Sequence, residues 1–131
     1  MRTVPLLLLL IALSGCQSEP TFQRPTIQRT ELFFGLNRPG GGAQVTDAEW
    51  RSFVDEVITP RFPSGLTILE ARGQWRGNDG KIESEPSRIL ILLHDRTPDE
   101  DRKVEEVRRA YRERFQQEAV MRADSVEWVS F

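Results

Sequence analysis

Apolar and polar positions change rhythm several times along the chain, and each change marks an element. ELFFGL, Glu31 to Leu36, is a short apolar run with the length of a β-strand. After the loop RPGGG, Trp50, Phe53, Val54, Val57 and Ile58 recur at i, i+3, i+4, i+7 and i+8, which is one wide apolar helix face. Thr46 stands where a helix cap belongs, Glu49 closes a capping box, and Val45 can pack on Trp50. Pro60 ends that helix, because the residue before a proline is pushed out of helical geometry. Leu66 to Trp75 alternates as a second strand, GNDGK follows as a tight turn, and SRILILLHD, Ser87 to Asp95, is a third strand. The five consecutive aliphatics of that third strand predict burial on both faces at the centre of a sheet. TPDE, Thr97 to Glu100, opens a second helix whose apolar stripe is Val104, Val107, Tyr111 and Phe115. SVEWVSF closes the chain as a fourth strand.

The order βαββαβ predicts an α+β, ferredoxin-like sandwich: a four-stranded antiparallel-type sheet with both helices on one face. The first and third strands, the most apolar, are expected to lie parallel at its centre. Period two along the second strand puts Glu70, Arg72 and Gln74 on one face and Leu69, Ala71 and Trp75 on the other. The first of these faces turns polar midway, so the strand is expected to leave the core at its far end unless Gly73 makes a bulge.

The N-terminus has a different purpose. Arg2 is followed by VPLLLLLIAL, ten apolar residues, half of what a helix needs to span ~30 Å of hydrocarbon. A basic start, a short apolar run and small residues make a secretory signal peptide. It ends in LSGC, which resembles the lipobox of bacterial lipoproteins, where cleavage precedes a cysteine that carries diacylglycerol. Cys16 is the only cysteine among 131 residues, so no disulfide can form and the sulfur sits where a lipid would go. Residues 1–15 are read as a cleaved signal, 16–29 as a lipidated cysteine and flexible tether, and 30–131 as one domain. Gln17 after the cysteine favours the outer membrane, facing the periplasm, by resemblance to enterobacterial sorting signals.

Charge narrows the class further. Removing residues 1–15 takes away one arginine and no acid, so a formal charge of −2 becomes −3, which gives nucleic acid no basic stripe. No cofactor or metal is expected, since one histidine without neighbouring cysteine is a poor ligand set.

Three places carry chemistry. RPGGG before a capped helix has the order of a phosphate loop, but it continues Ala43-Gln44 rather than Gly-Lys-Ser/Thr, and Asp47 and Glu49 already occupy the helix start. If the first and third strands run parallel, Arg38 and the pair His94-Asp95 leave the sheet at one edge. His94 could then serve as a general base and Arg38 could steady an oxyanion. Arg72, Gln74 and Trp75 form the third, since an exposed Trp beside Arg has the composition of a binding hot spot. Edge protection is the simpler account of Glu70 and Arg72, but it does not cover Trp75. Apolar residues on both faces of every strand, with helices on one face only, leave a patch that something should cover. The candidates are a second subunit sheet to sheet, a hydrophobic ligand, another envelope protein, or the chain's own N-terminal segment with Phe22 and Ile27, and a homodimer is the first expectation.

LFFGLNRPGG, DAEWRSFVDEVITPRFPSGLTILEARGQWRG, EPSRILILLHD and the closing SF resemble a family of small bacterial lipoproteins described as domain of unknown function 3574. The resemblance runs from Glu31 to Phe131, with TPRFPSGLT and GQWR its most specific parts, and implies no activity and no catalytic residue.

Overall fold

Residues 25–76 and 79–130 are described by a computed structural model. The signal segment, Cys16, Phe22 and Phe131 lie outside them. Four strands, β1 (Thr26–Gly35), β2 (Thr67–Arg76), β3 (Ile82–His94) and β4 (Met121–Trp128), form one sheet in the order β2-β3-β1-β4. Helices α1 (Asp47–Phe53) and α2 (Pro98–Phe115) pack on one face of it. The ferredoxin-like plan is therefore realised.

One expectation about it is corrected. All neighbouring strands, including central β1 and β3, are antiparallel. The reason is local: the β2–β3 hairpin reverses the chain, so β3 opposes any strand that β2 follows in parallel. β1 also starts earlier than the apolar pattern implied. Thr26 to Arg29, expected in the tether, pair with β4 from Trp128 back to Ser125. β3 starts at Ile82 rather than Ser87, and β4 spans Met121–Trp128 rather than Ser125 to Phe131. Gly73 makes no bulge; it sits in register opposite Glu85.

Period two sorts the sheet into two faces. Thr30, Leu32 and Phe34 from β1 and Leu90, Leu92 and His94 from β3 point under the helices and are buried. Above them lie Trp50, Phe53, Val104, Val107, Tyr111 and Phe115. Edge-to-face contacts knit this layer, with Phe34 and Tyr111 ring centres 4.7 Å apart and Phe53 and Tyr111 5.2 Å apart. The Tyr111 hydroxyl donates to the Gly35 carbonyl at 2.8 Å and is satisfied inside the cluster. Burial pushes that phenol well above its ordinary ionisation range. Among the described residues, the buried core is supplied by residues between Leu32 and Val120.

The cap signals hold, but the proline signal does not act as expected: Thr59, directly before Pro60, keeps helical angles, φ −56° and ψ −42°. Thr46 accepts from the Glu49 N–H and the Glu49 carboxylate accepts from the Thr46 N–H, the reciprocal box expected. These contacts and the Arg38 guanidinium hold the Glu49 carboxyl below its usual range. After Phe53 the helix widens into one π-helical turn, Val54–Ile58, in which the Thr59 N–H reaches back to the Val54 carbonyl at 2.9 Å. Thr97 caps α2 through the Glu100 N–H.

Candidate functional site

The antiparallel register decides the first candidate. His94 stands opposite Gln28 near the start of β1, whereas Arg38 follows the far end of that strand, beyond the Gly35–Ser87 rung. Seven rungs separate those levels, roughly 23 Å at ~3.3 Å per residue. His94 and Arg38 are not brought together. Arg38 is used elsewhere, donating to Glu49 at 2.6 Å and lying over the Phe115 ring. Asp95 stays beside His94, with its side chain exposed and its carbonyl facing the ring.

Both nitrogens of the His94 imidazole are engaged. Nδ1 lies 2.9 Å from the Asp95 carbonyl oxygen, which can only accept, so Nδ1 carries a hydrogen. Nε2 lies 2.9 Å from the Thr30 hydroxyl, which in turn donates to the Asp124 carboxylate at 2.5 Å. Burial works against ionisation of Asp124, but the hydrogen bonds from Thr30 and Arg122 outweigh it and hold the carboxyl below its usual range. The chain Asp124–Thr30–His94 ties β4, β1 and β3 together at one end of the sheet. A general base needs a free nitrogen aimed at a substrate, and His94 would first have to give up one of these bonds.

A cavity of about 320 Å³ opens beside this network. The Arg61–Gly65 loop, Leu93, His94 and Lys103 form much of its wall. Its cations are already paired: Arg61 with Glu106 at 3.1 Å, and Lys103 with Glu100 at 2.7 Å and Asp99 at 3.2 Å. Phe62 offers a ring 6.1 Å from that of His94. The loop is the RFPSG of the most specific family stretch, so the resemblance and the cavity fall in one place. Among the described residues no group of three or more His, Cys, Asp or Glu could hold a metal ion.

Arg72, Gln74 and Trp75 lie on an arm. β1 ends at the Gly35–Ser87 rung, but β2 and β3 stay paired for five further rungs, to Arg76–Ile82. This two-stranded ribbon projects past the helices, as the polar turn of its sequence suggested. Arg72 donates to Ser84 at 3.1 Å. Trp75, 42% exposed, points to the opposite face, so the three residues form no single cluster.

The face away from the helices is the largest unassigned surface. Leu69, Ile89, Phe33 and Met121 are successive register partners across all four strands and form one apolar row. Leu69 is 46% and Met121 60% exposed. Ile91, Leu93 and Ile27 extend the apolar surface toward the His94 end. The expected apolar patch is present, but its Met121 end was missed, because the sequence left that residue outside the fourth strand. Thr30 and Asp124 were missed as well. They are 94 residues apart and no spacing rule pairs them.

A ferredoxin-like α+β domain with a bare sheet face is the class that fold and surface define. Residues 29–131 match the family model described as "Protein of unknown function (DUF3574)", and the chain belongs to that family. No curated protein matches. Among solved structures, a phage SAM lyase in complex with S-methyl-5'-thioadenosine is similar at 18% identity and a TM-score of 0.62, covering 79% of this chain and 83% of that one. The same lyase in its apo state aligns at 22% identity and a TM-score of 0.60, over 79% and 83%. CutA from Synechococcus elongatus PCC7942 aligns at 8% identity and a TM-score of 0.52, over 81% and 84%. At these identities the likeness shows the fold alone.

Proposed function

We propose that this chain is an exported, lipid-anchored protein of the bacterial envelope whose domain is a binding module, with the open sheet face as its contact surface. The observation that carries the reading is the row Leu69–Ile89–Phe33–Met121, a continuous apolar band that a protein with no partner for it would leave in water. The lipobox-like LSGC and the lone Cys16 support export and anchoring at the outer membrane, facing the periplasm. No helix among the described residues is long and apolar enough to cross a membrane, so attachment through Cys16 would rest on the lipid.

Two measurements test this. A palmitate analogue fed to bacteria that express the full chain should label it, and the Cys16→Ser variant should stay unlabelled. A photo-crosslinking amino acid at Ile89 should give covalent products in cells, and one at Arg109 on the exposed side of α2 should not. Equal behaviour at the two positions would remove the open face from the reading.

A second reading is a small ferredoxin-like enzyme, hydrolase-like in using His94. The cavity beside His94 favours it, as does a fold shared with a lyase solved with a nucleoside thioether bound. Titration with S-methyl-5'-thioadenosine is the first test. A flat calorimetric trace together with an unmoved melting curve would sink that ligand class.

A further inference from the structure

We infer that the occupant of the open face is a second copy of this chain, docked sheet to sheet about a two-fold axis. The inference rests on the binding-module reading and names its partner. Its first support is the charge pattern. Between the apolar row and the His94 end, the open face carries two charged side chains, Arg29 and Glu31, neighbours on central β1. They pair at 2.5 Å and are about two-thirds covered. The remaining acids of that face stand away from this pair, Glu127 at the end of β4, and Glu85 and Glu83 where β3 runs out along the arm. The surface therefore has an apolar centre, a charged rim and one adjacent plus–minus pair in the middle.

Such a pair complements itself. A two-fold axis running across the strands beside Thr30 lays β1 antiparallel on its copy, so Arg29 faces the partner's Glu31 and Glu31 faces the partner's Arg29. The same operation brings Phe33 of the apolar row over the partner's Ile27. Each carboxylate then meets a second guanidinium, and the charges are buried with partners rather than alone. A lipid chain would instead bury the ion pair in hydrocarbon with no polar group to meet it. A small ligand would find a flat surface where pockets are concave.

The second support is apolar contact beside the charged pair. Ile91 and Leu93 of β3 stand in register with Glu31 and Arg29, so the same operation lays them on the partner's Leu93 and the partner's Ile91.

The test uses the chain from Gln17 onward, without lipid, which contains every described core residue. Light scattering and native mass spectrometry should show a dimer. Arg29→Glu and Glu31→Arg should each weaken it at least tenfold, because like charges then meet across the axis. An equal mixture of those two variants should form the mixed dimer, which is possible only if the face meets itself. Met121→Glu, at a position already exposed in the single copy, should weaken association without changing the circular dichroism spectrum. A wild-type chain that is monomeric at 100 µM, or charge variants that dimerise as wild type does, would overturn the proposal. Crosslinks from Ile89 in cells separate the two levels. A product of two copies supports the inference, and a product with a different protein overturns it while sparing the module reading. The absence of any product overturns both.

Discussion

The Thr30 hydroxyl lies 2.9 Å from Nε2 of His94, a residue 64 positions away on the neighbouring strand. Thr30 is fully buried, and it is also the donor to Asp124 on the other side. One hydroxyl thus satisfies two polar groups from two strands. Thr30→Val keeps the shape and removes both bonds, which leaves a buried imidazole nitrogen unpaired. The expected cost is about 1–3 kcal/mol. Urea unfolding at pH 7 checks it as a lower midpoint with an unchanged slope. An unchanged midpoint would mean that water replaces the hydroxyl.

The same contact links two hydrogens. The Asp95 carbonyl can only accept, so Nδ1 of His94 is the donor there, and Thr30 can give its single proton either to Asp124 or to Nε2. Nitrogen-15 spectra of the imidazole should show Nδ1 carrying a hydrogen. A ring with hydrogen on Nε2 alone would show that the Asp95 contact is not a hydrogen bond.

Much of the architecture was legible because it depends on local rules. The Thr46 and Thr97 caps, the Trp50–Ile58 stripe and the Val104–Phe115 stripe are each decided within a few residues of sequence. The parallel placement of β1 and β3 failed although its correction was also present, since the turn at Asp79-Gly80 already reversed the chain. Long-range pairing was not legible. Whether Arg38 reaches His94 depends on the register between strands, and an apolar run does not encode that. Strand ends were missed where polar residues continue the pairing, as in Ile82–Pro86 and Met121–Asp124.

The end of α2 offers a clean backbone test. Gln116 closes the helix in the left-handed region, with φ 57°, a conformation that crowds any residue with a Cβ. Its side chain is exposed, so little packing is lost on replacing it. Gln116→Gly should stabilise the domain by about 0.5–1 kcal/mol, and the melting temperature should rise by a few degrees. Gln116→Val should do the reverse. A neutral glycine variant would show that entropy gained by the unfolded chain cancels the relief.

Gly35 is constrained by a neighbour and not by its own backbone. A Cβ at this position would meet Oε1 of Glu85 at 2.5 Å. That carboxylate accepts from the Asn37 N–H at 3.1 Å, over the start of the loop after β1. Burial raises the Glu85 carboxyl above its ordinary range, because the charged form is penalised there. Gly35→Ala should therefore expel Glu85 and cost about 1 kcal/mol through the lost bond. In the Glu85→Ala background the same alanine should cost much less. Additive effects in that double-mutant cycle would mean that the two residues do not compete for space.

Acid should loosen the seam between β4 and α2. Arg122 reaches Asp101, Glu105 and Asp124, each at 2.8 Å, and joins the edge strand to the helix above it. Burial opposes ionisation of both Asp124 and Glu105. The hydrogen bonds from Arg122, with Thr30 at Asp124 and Arg108 at Glu105, prevail and hold both carboxyls below their usual range. A carboxyl lowered in the folded state binds protons more readily when unfolded. Its stabilisation is therefore complete above the unfolded value, ~4, and is lost as pH falls through the folded one. Asp124→Asn should cost about 0.5–1 kcal/mol at pH 7, the amount that solvent screening leaves to a partly exposed network. The cost should shrink toward zero as pH falls below the folded-state value, where the wild-type carboxyl has also taken up its proton. Chemical unfolding at pH 7, 5 and 3 reads this directly as two stability curves that converge in acid. Parallel curves would mean that Asp124 acts through its shape and its bond to Thr30, and that the charge on Arg122 is satisfied by Asp101 and Glu105 alone.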